Sequence, residues 1–533
     1  MKSSTKQFYK AQKGMIMKMK FKKIIACFCL AAVGMSAVGC SSNGGSDSAN
    51  GGTTKITWWT TLFPHISQTA ASNNDVPFYQ ELEKRCNVDL EFIHPASGQE
   101  SEKFNVMCAS GEYPDLIEWD FMTYKGGPAK AVEDGVIVYI DDYLDDAPNY
   151  KKYLEEHPDV AKQVVTDEGK HYTFAFIRGD ESLMCWKGPQ IRKDLLDKAG
   201  LALPETIEEW DTALRKFKEM GIAYPLSSKG ANFSDAFSGA FGVSESFYQE
   251  DGKVKYGPME PGYKDYITQM NQWFKDGILD NDFFAQDSKA LNAKITTGTV
   301  GAFVASAGGD MGSLLPTLQT TDASYDLSGA KYPVMKKGDT PRFGQMDFAY
   351  YPMVSVAISS QCKNIKEVVK FLDYGYSEEG HMFWNFGTEG VSYNMENGYP
   401  QYTDEILKNP EGLSIQAAMS KYAAAAYGGP FVQDARYYEQ YLPYQQQNDA
   451  VKLWADHDGS TRIPYVSYTA EEGDQRSKKM AVISSYVNEN VLKFITGQKD
   501  MNEWDEFVSQ IKANGIDEVL EIMQNALDRY NKR

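Results

Sequence analysis

From Lys55 onward the apolar positions switch repeatedly between period two and period 3.6, a pattern that predicts strands alternating with helices. Lys55-Ile-Thr-Trp-Trp-Thr-Thr61 is a β-rich run. A helical face over Phe78–Cys86 follows, then the alternating strand Val88-Asp-Leu-Glu-Phe-Ile93, a helix over Ser101–Ser110 and a third strand, Asp115-Leu-Ile-Glu-Trp119. Strands separated in this way imply βαβ units and a largely parallel sheet.

The middle of the chain keeps the style without repeating the sequence. Thr206-Ile-Glu-Glu209 behind Pro204 is a capping box, and Trp210, Leu214 and Phe217 then share one helical face. Phe247–Tyr256 predicts a hairpin that turns at Asp251-Gly252. Further on come a helix over Tyr263–Lys275, a buried strand over Val300–Ala305 ending at Gly308-Gly309, a strand over Phe348–Ile358 and a helix over Ile365–Tyr374. The C-terminal stretch is mostly helical. Trp504, Phe507, Val508 and Ile511 share a face, and Asn514-Gly515 suits a helix stop.

The start of the chain is patterned differently. Residues 1–23 hold eight lysines and no acid, and an apolar run from Ile24 to Val38 ends in Ala37-Val38-Gly39-Cys40. A basic start, a short apolar run and small residues before a cut describe a secretory signal over 1–39. The run is shorter than the roughly 20 residues a spanning helix needs. Its small-small-Cys ending resembles the bacterial lipobox, which implies acylation, with palmitate for example, at Cys40. Met15, Met17 and Met19 are alternative starts of translation. The Gly/Ser-rich stretch that completes 40–54 is expected to be a flexible tether. No later segment is apolar enough to span a bilayer.

The body, 55–533, is longer than one core usually serves, so two domains are expected. The net charge of −19 becomes −27 once the eight leader lysines are lost. So acidic a chain lacks the basic footprint of a nucleic-acid binder. It is equally unsuited to lying on an anionic membrane, so a lipid is the expected membrane contact. Of seven cysteines, Cys86, Cys108, Cys185 and Cys362 fall in the body, at spacings that suit neither zinc nor a disulfide framework. Buried free thiols are expected.

Catalytic signatures are missing. The six histidines are scattered, and no HExxH, GxSxG or phosphate-binding GxxxxGK[ST] occurs. Asp280-Asn-Asp282 is only a fragment of a calcium loop, so neither metal nor cofactor is expected. Acid pairs such as Asp141-Asp142 and Asp145-Asp146 read as solvated faces, although paired carboxylates of the glycosidase kind stay open. The informative excess is aromatic: 9 Trp, 33 Tyr and 27 Phe. An aromatic face offers flat apolar area to a sugar ring, and its polar rim can bond hydroxyls. Open α/β sheets bind ligands where strands end. That places Trp58 or Trp59, Glu118, Trp119, Asp120 and Trp186 as ligand contacts. Strand alternation allows only one of Trp58 and Trp59 to face a cleft.

Gly111-Glu-Tyr-Pro-Asp-Leu-Ile117 resembles the G-x-x-P-D-hydrophobic signature of bacterial extracellular solute-binding proteins of the sugar-binding class, family 1. Lys193–Leu201 with Pro204 and Thr206–Trp210 resembles the next block of that family. Gly298–Phe303 with Gly308, and Lys366–Leu372 through Ser377–Gly380, are similar to the third and fourth. The tail from Gly515 to Arg533 is similar to the LplA-like subgroup of large Gram-positive lipoproteins. The resemblance implies an α/β, two-lobed periplasmic-binding-protein-like fold with a hinge and a helical C-terminal region. Lobe 1 would take 55–175 and a return segment, 348–395. Lobe 2 would take 176–347 and be completed by 396–533. Crossings are expected near His171–Phe176, Tyr350–Ile358 and 395. Many members carry Tyr-Asn where this chain has Ile191-Arg192, so an aromatic sugar contact is missing there. Arg192 then stands either as a contact for an acidic sugar or as a surface cation.

The resulting expectation is a monomeric, non-enzymatic lipoprotein, anchored on the extracellular face of the cell membrane. It would capture a carbohydrate, an oligosaccharide by preference, and deliver it to the permease subunits of an ABC importer. A secreted polysaccharide-degrading enzyme and a binding protein for a non-sugar solute such as a peptide are the alternatives.

Overall fold

A computed structural model describes residues 53–230, 233 and 235–533. The leader, Cys40 and the tether up to residue 52 lie outside the described residues. The strands that organise the body are, in chain order, β1 (Thr54–Trp59), β2 (Val88–Ile93), β3 (Leu116–Glu118), β4 (Ile177–Arg178), β5 (Lys187–Arg192), β6 (Tyr224–Leu226), β7 (Val300–Ser306), β8 (Leu327–Gly329), β9 (Val356–Ile358) and β10 (Val432–Gln433).

Two four-stranded sheets result. The first has the order β9-β3-β1-β2, with β1 parallel to both β2 and β3, in register Trp58↔Phe92 and Trp58↔Leu116. Only its edge strand β9 runs antiparallel. The second sheet, β8-β5-β7-β6, departs from the expected parallel pattern. Its β5 is antiparallel to both neighbours, and only β6 and β7 run parallel. β5 receives the chain directly from the first half, so its sense is not set by a βαβ crossover.

Local signals fold as their chemistry dictates. Thr206 and Glu209 close the capping box of the helix Ile207–Glu219, which buries Trp210, Leu214 and Phe217. Asp251 and Gly252 take φ of 50° and 75°, the left-handed pair that a two-residue hairpin loop requires. The strand expected over Phe348–Ile358 is interrupted. Pro352, which has no N–H to donate, opens a 3₁₀ turn over Pro352–Val354, and β9 starts only after it. The four cysteines of the described residues are free thiols; Cys185 and Cys362 are buried, Cys86 and Cys108 partly so. Asp280 of the calcium-loop fragment is buried against Lys294, 2.7 Å away, and the Ser227 hydroxyl. No helix among the described residues is long and apolar enough to cross a membrane.

Each sheet has its own core. Trp58, Phe92, Tyr150, Ile177, Tyr350 and Trp384 belong to the core of the first; Trp210, Trp273, Phe303, Tyr441 and Trp454 belong to that of the second. Membership changes between Ile177 and Leu183, between Tyr332 and Ala349, and between Trp384 and Phe386. Ala424, Phe431 and Val432 then return to the first core, an excursion with no counterpart in the expected division. The last helix, Ile516–Lys532, starts in the second core with Ile516, Val519 and Met523. Its end reaches Asp167, which pairs with Arg529 at 2.5 Å and Arg533 at 2.6 Å, while Glu472 also holds Arg529. Arg533 donates to the carbonyl of Val165, a residue packed on the first core.

Candidate functional site

Three segments meet where the cores join. Ile177 N donates to Phe431 O at 3.1 Å, Arg178 N to Ala349 O at 2.8 Å, Gly179 N to Gln433 O at 3.1 Å and Tyr351 N to Phe176 O at 3.0 Å. β4 thus lies between β10 and the strand entering Tyr350. Beside it opens a cavity of about 250 Å³, whose walls include Arg178, Trp186, Tyr351, Tyr427, Tyr438 and Tyr441. Residues of both cores line it.

The tyrosine wall comes largely from one short helix, Ala435–Tyr441. Asp434 caps it by accepting from Arg436 N, and its carboxylate also holds His381 at 2.9 Å and the Arg436 guanidinium. Burial opposes the charge of Asp434, but these partners outweigh it and keep the carboxyl well below its ordinary range. The helix therefore starts at a fixed point and carries Tyr437, Tyr438 and Tyr441 as a packed group. Tyr427 stacks on His65 with ring centroids 4.1 Å apart, and His65 stacks on Phe63. Burial pushes the His65 imidazole down to about 4, so it is neutral at pH 7.

Polar groups are aimed among these rings. Asp347 accepts the Trp186 indole N–H at 2.9 Å and pairs with Arg178 at 2.6 Å. The Arg178 guanidinium lies 5.0 Å over the Tyr351 ring and donates to Gln433 Oε1 at 3.3 Å. Two buried groups here have no hydrogen-bond partner among the described residues: Arg178 Nε and the hydroxyl of Tyr438, a residue 9% exposed. Buried polar groups are nearly always satisfied, so these two have bonding capacity left for a water, an ion or a ligand atom. Flat rings with a few directed donors suit a ligand that has both apolar faces and hydroxyls.

Of the residues expected at the site, Trp186 lines the cavity. Trp58 and Trp59 do not. Alternation turns them to opposite faces as expected, but both faces are covered, as in parallel sheets generally. Trp58, 1% exposed, packs against Phe92, Tyr79 and Phe371; Trp59, 4% exposed, packs against Phe104 and Trp119. Trp119 is half-buried and stacked on Phe104 at 4.6 Å, so its ring belongs to that same cluster beneath the sheet. Arg192 does not line the cavity and is not a surface cation. It is 5% exposed, bonds Asp194 through two nitrogens at 2.6 and 2.8 Å, and stacks over Tyr325 at 4.2 Å. Glu118 is buried, and burial pushes its carboxyl up to about 8 against the opposing Thr60 hydroxyl. Burial likewise lifts Asp120 to about 6, against hydrogen bonds from Met122 and Thr123. Asp120 lies within electrostatic reach of Tyr351, which lines the cavity, but does not itself line it.

Sequence reasoning missed the tyrosines, Arg178 and Gln433. The run Tyr437-Tyr438 followed by Tyr441 carried the one local signal, three rings within five residues.

Residues 68–382, more than half of the chain, match the family model of the bacterial extracellular solute-binding proteins. Among relatives, the chain is 25% identical over 497 residues to the fructooligosaccharide ABC transporter substrate-binding protein FusA of Streptococcus pneumoniae serotype 4 (strain ATCC BAA-334 / TIGR4), covering 86% of this chain and 87% of that one. It is 24% identical over 530 residues to lipoprotein LipO of Bacillus subtilis (strain 168), covering 95% and 98%. The crystal structure of the alginate-binding protein AlgQ2 without calcium ion superposes with a TM-score of 0.75 at 24% identity, covering 90% of this chain and 98% of that one. The two-sheet, two-core architecture is thus the two-lobed periplasmic-binding-protein fold, and the chain belongs to the bacterial extracellular solute-binding proteins.

Proposed function

We propose that this protein captures a carbohydrate outside the cell and hands it to an ABC importer, held at the membrane by a lipid on Cys40. The observation that carries the reading is the cavity between the two cores. Trp186 and five tyrosines wall it, and Arg178 Nε and the Tyr438 hydroxyl lie at it unpaired. A sugar ring meets both demands, apolar C–H faces for the rings and hydroxyls for the orphans. The fructooligosaccharide named for FusA and the alginate named for AlgQ2 support the same class of ligand. Anchoring rests on the lipobox-like run before Cys40, and the likeness to lipoprotein LipO supports it.

Capture here is a shift of equilibrium. The three segments meeting at Ile177, Ala349 and Phe431 serve as the hinge, and a ligand touching both halves favours the closed arrangement by its differential affinity. The test is a thermal-shift screen of the purified protein against a glycan panel. A ligand that binds the native state alone raises the melting temperature by mass action. A panel of mono- to pentasaccharides that leaves the melting temperature unmoved at millimolar concentration, while peptides raise it, overturns the reading.

A further inference from the structure

Across the turn at Gly308-Gly309 lies a second cavity, of about 450 Å³ against about 250 Å³ for the first. Gly308, Gly309, Gln416 and Tyr441 line both, so the two share a rim. That rim is low because two side chains are missing from it. A Cβ on Gly308 would lie 2.2 Å from Tyr441 Cε1, so the backbone rests directly against the ring. A Cβ on Gly309 would come no nearer than 3.4 Å to anything, its closest neighbour being the Gln416 amide oxygen. Only the absence of a side chain keeps that space clear.

Two features of the second cavity define what it takes. Among the described residues, no Asp, Glu, Lys, Arg or His lines it. Its walls mix apolar Leu413, Ile415 and Pro443 with the hydroxyls of Ser313 and Thr317. Each of these hydroxyls donates to a backbone carbonyl one turn back, at 2.7 Å, and keeps its lone pairs for an incoming O–H. At the junction, the Gln416 side-chain amide makes no hydrogen bond among the described residues, although it offers two donors and an acceptor.

We infer that the ligand is a linear, uncharged oligosaccharide that crosses the Gly308-Gly309 saddle. One end fills the tyrosine-walled cavity, the following units occupy the uncharged one, and Gln416 bonds the unit at the junction. An acidic unit would enter the second cavity without a cation to pair it, at a desolvation cost that an uncharged unit escapes. The inference rests on the carbohydrate reading above.

Calorimetric titration tests it with neutral linear series, fructo- and β-manno-oligosaccharides of one to five units, and with uronic-acid oligomers of the same lengths. Affinity for the neutral series that binds is expected to rise about tenfold or more from disaccharide to tetrasaccharide. In Ser313→Trp, which fills the second cavity, and in Gln416→Ala, the tetra- to disaccharide affinity ratio is expected to fall to near one. Gln416→Ala removes no packed apolar side chain, so it stands as the folding-safe variant. Equal affinity for short and long ligands, tighter binding of the uronic-acid oligomers, or an unchanged ratio in both variants overturns the inference while leaving carbohydrate capture intact. Binding of no carbohydrate of any length overturns both.

Discussion

Arg178 and Trp186 are held by one oxygen: Asp347 Oδ2 lies 2.6 Å from Arg178 Nη2 and 2.9 Å from the Trp186 indole nitrogen. A single carboxylate thereby fixes both the cation and the indole of the cavity. Asp347→Ala is expected to weaken ligand binding about tenfold or more, because neither wall group keeps its orientation. It also strands a guanidinium that is largely buried, so denaturant unfolding should show a loss on the order of 3 kcal/mol. Asp347→Asn retains an acceptor for the indole and should fall between the two in affinity. Full affinity in Asp347→Ala would mean that the ligand does not depend on this brace.

Two tryptophans separate packing from contact. Trp58→Ala empties a fully buried site and should cost about 3–5 kcal/mol of stability. Trp186→Ala removes a half-buried ring at the cavity and should cost affinity, while the unliganded melting temperature changes little. Melting without ligand, followed by titration with the best glycan of the screen, distinguishes them. A Trp186→Ala protein with normal affinity removes that ring from the site.

Acid-base behaviour gives a third test. Burial lifts the Glu118 carboxyl from 4.5 to about 8. Between these values the folded chain keeps a proton that the unfolded chain has released, so stability falls as pH rises from about 4.5 to about 8 and the penalty is complete above that. Glu245, lifted to about 8 by burial and then by the Asp235 charge, acts in the same direction. The ligand-free melting temperature is expected to decline across this window, and Glu118→Gln, which cannot ionise, should flatten some of the decline. A pH profile identical in Glu118→Gln and the parent would show that Glu118 titrates normally in the fold.

The anchor is tested in cells. Cys40→Ser is expected to release the protein into the medium, since the acidic body has no affinity of its own for an anionic surface. Retention of the variant on membranes through a high-salt wash would count against lipidation at Cys40.

Much of the fold was legible because its signals are local. The capping box at Thr206, the turn at Asp251-Gly252 and the alternation in Val88–Ile93 each depend on residues within a few positions of one another. The antiparallel course of β5 and the return of Ala424, Phe431 and Val432 to the first core were not legible, because they depend on where the chain arrives from. The site divides in the same way. Trp186 was singled out by its place just before Lys187-Gly188-Pro189, and it lines the cavity. Trp58 and Trp59 stand at the end of one, but period two says only that two faces exist, not that both are covered. Arg192 read as a sugar contact or a surface cation because its pairing with Asp194 and the Tyr325 ring below it show only in three dimensions. The tyrosines escaped because in a chain with 33 of them no single phenol stands out before the helix Ala435–Tyr441 is set against the hinge.

The salt links from Asp167 to Arg529 and Arg533 give this molecule a fourth joint, one that does not pass through the hinge. The final helix is rooted in the second core and moored beside the first. Any swing of the halves must therefore bend the span from 470 to 533 or pull both arginines away from their carboxylate. The work of doing so enters the observed dissociation constant whatever the solute is. Asp167 and Arg533 are each less than a tenth exposed, so dissolved ions screen this joint only weakly. Its cost would therefore stay with the molecule at any ionic strength, a fixed term in the affinity for every solute alike.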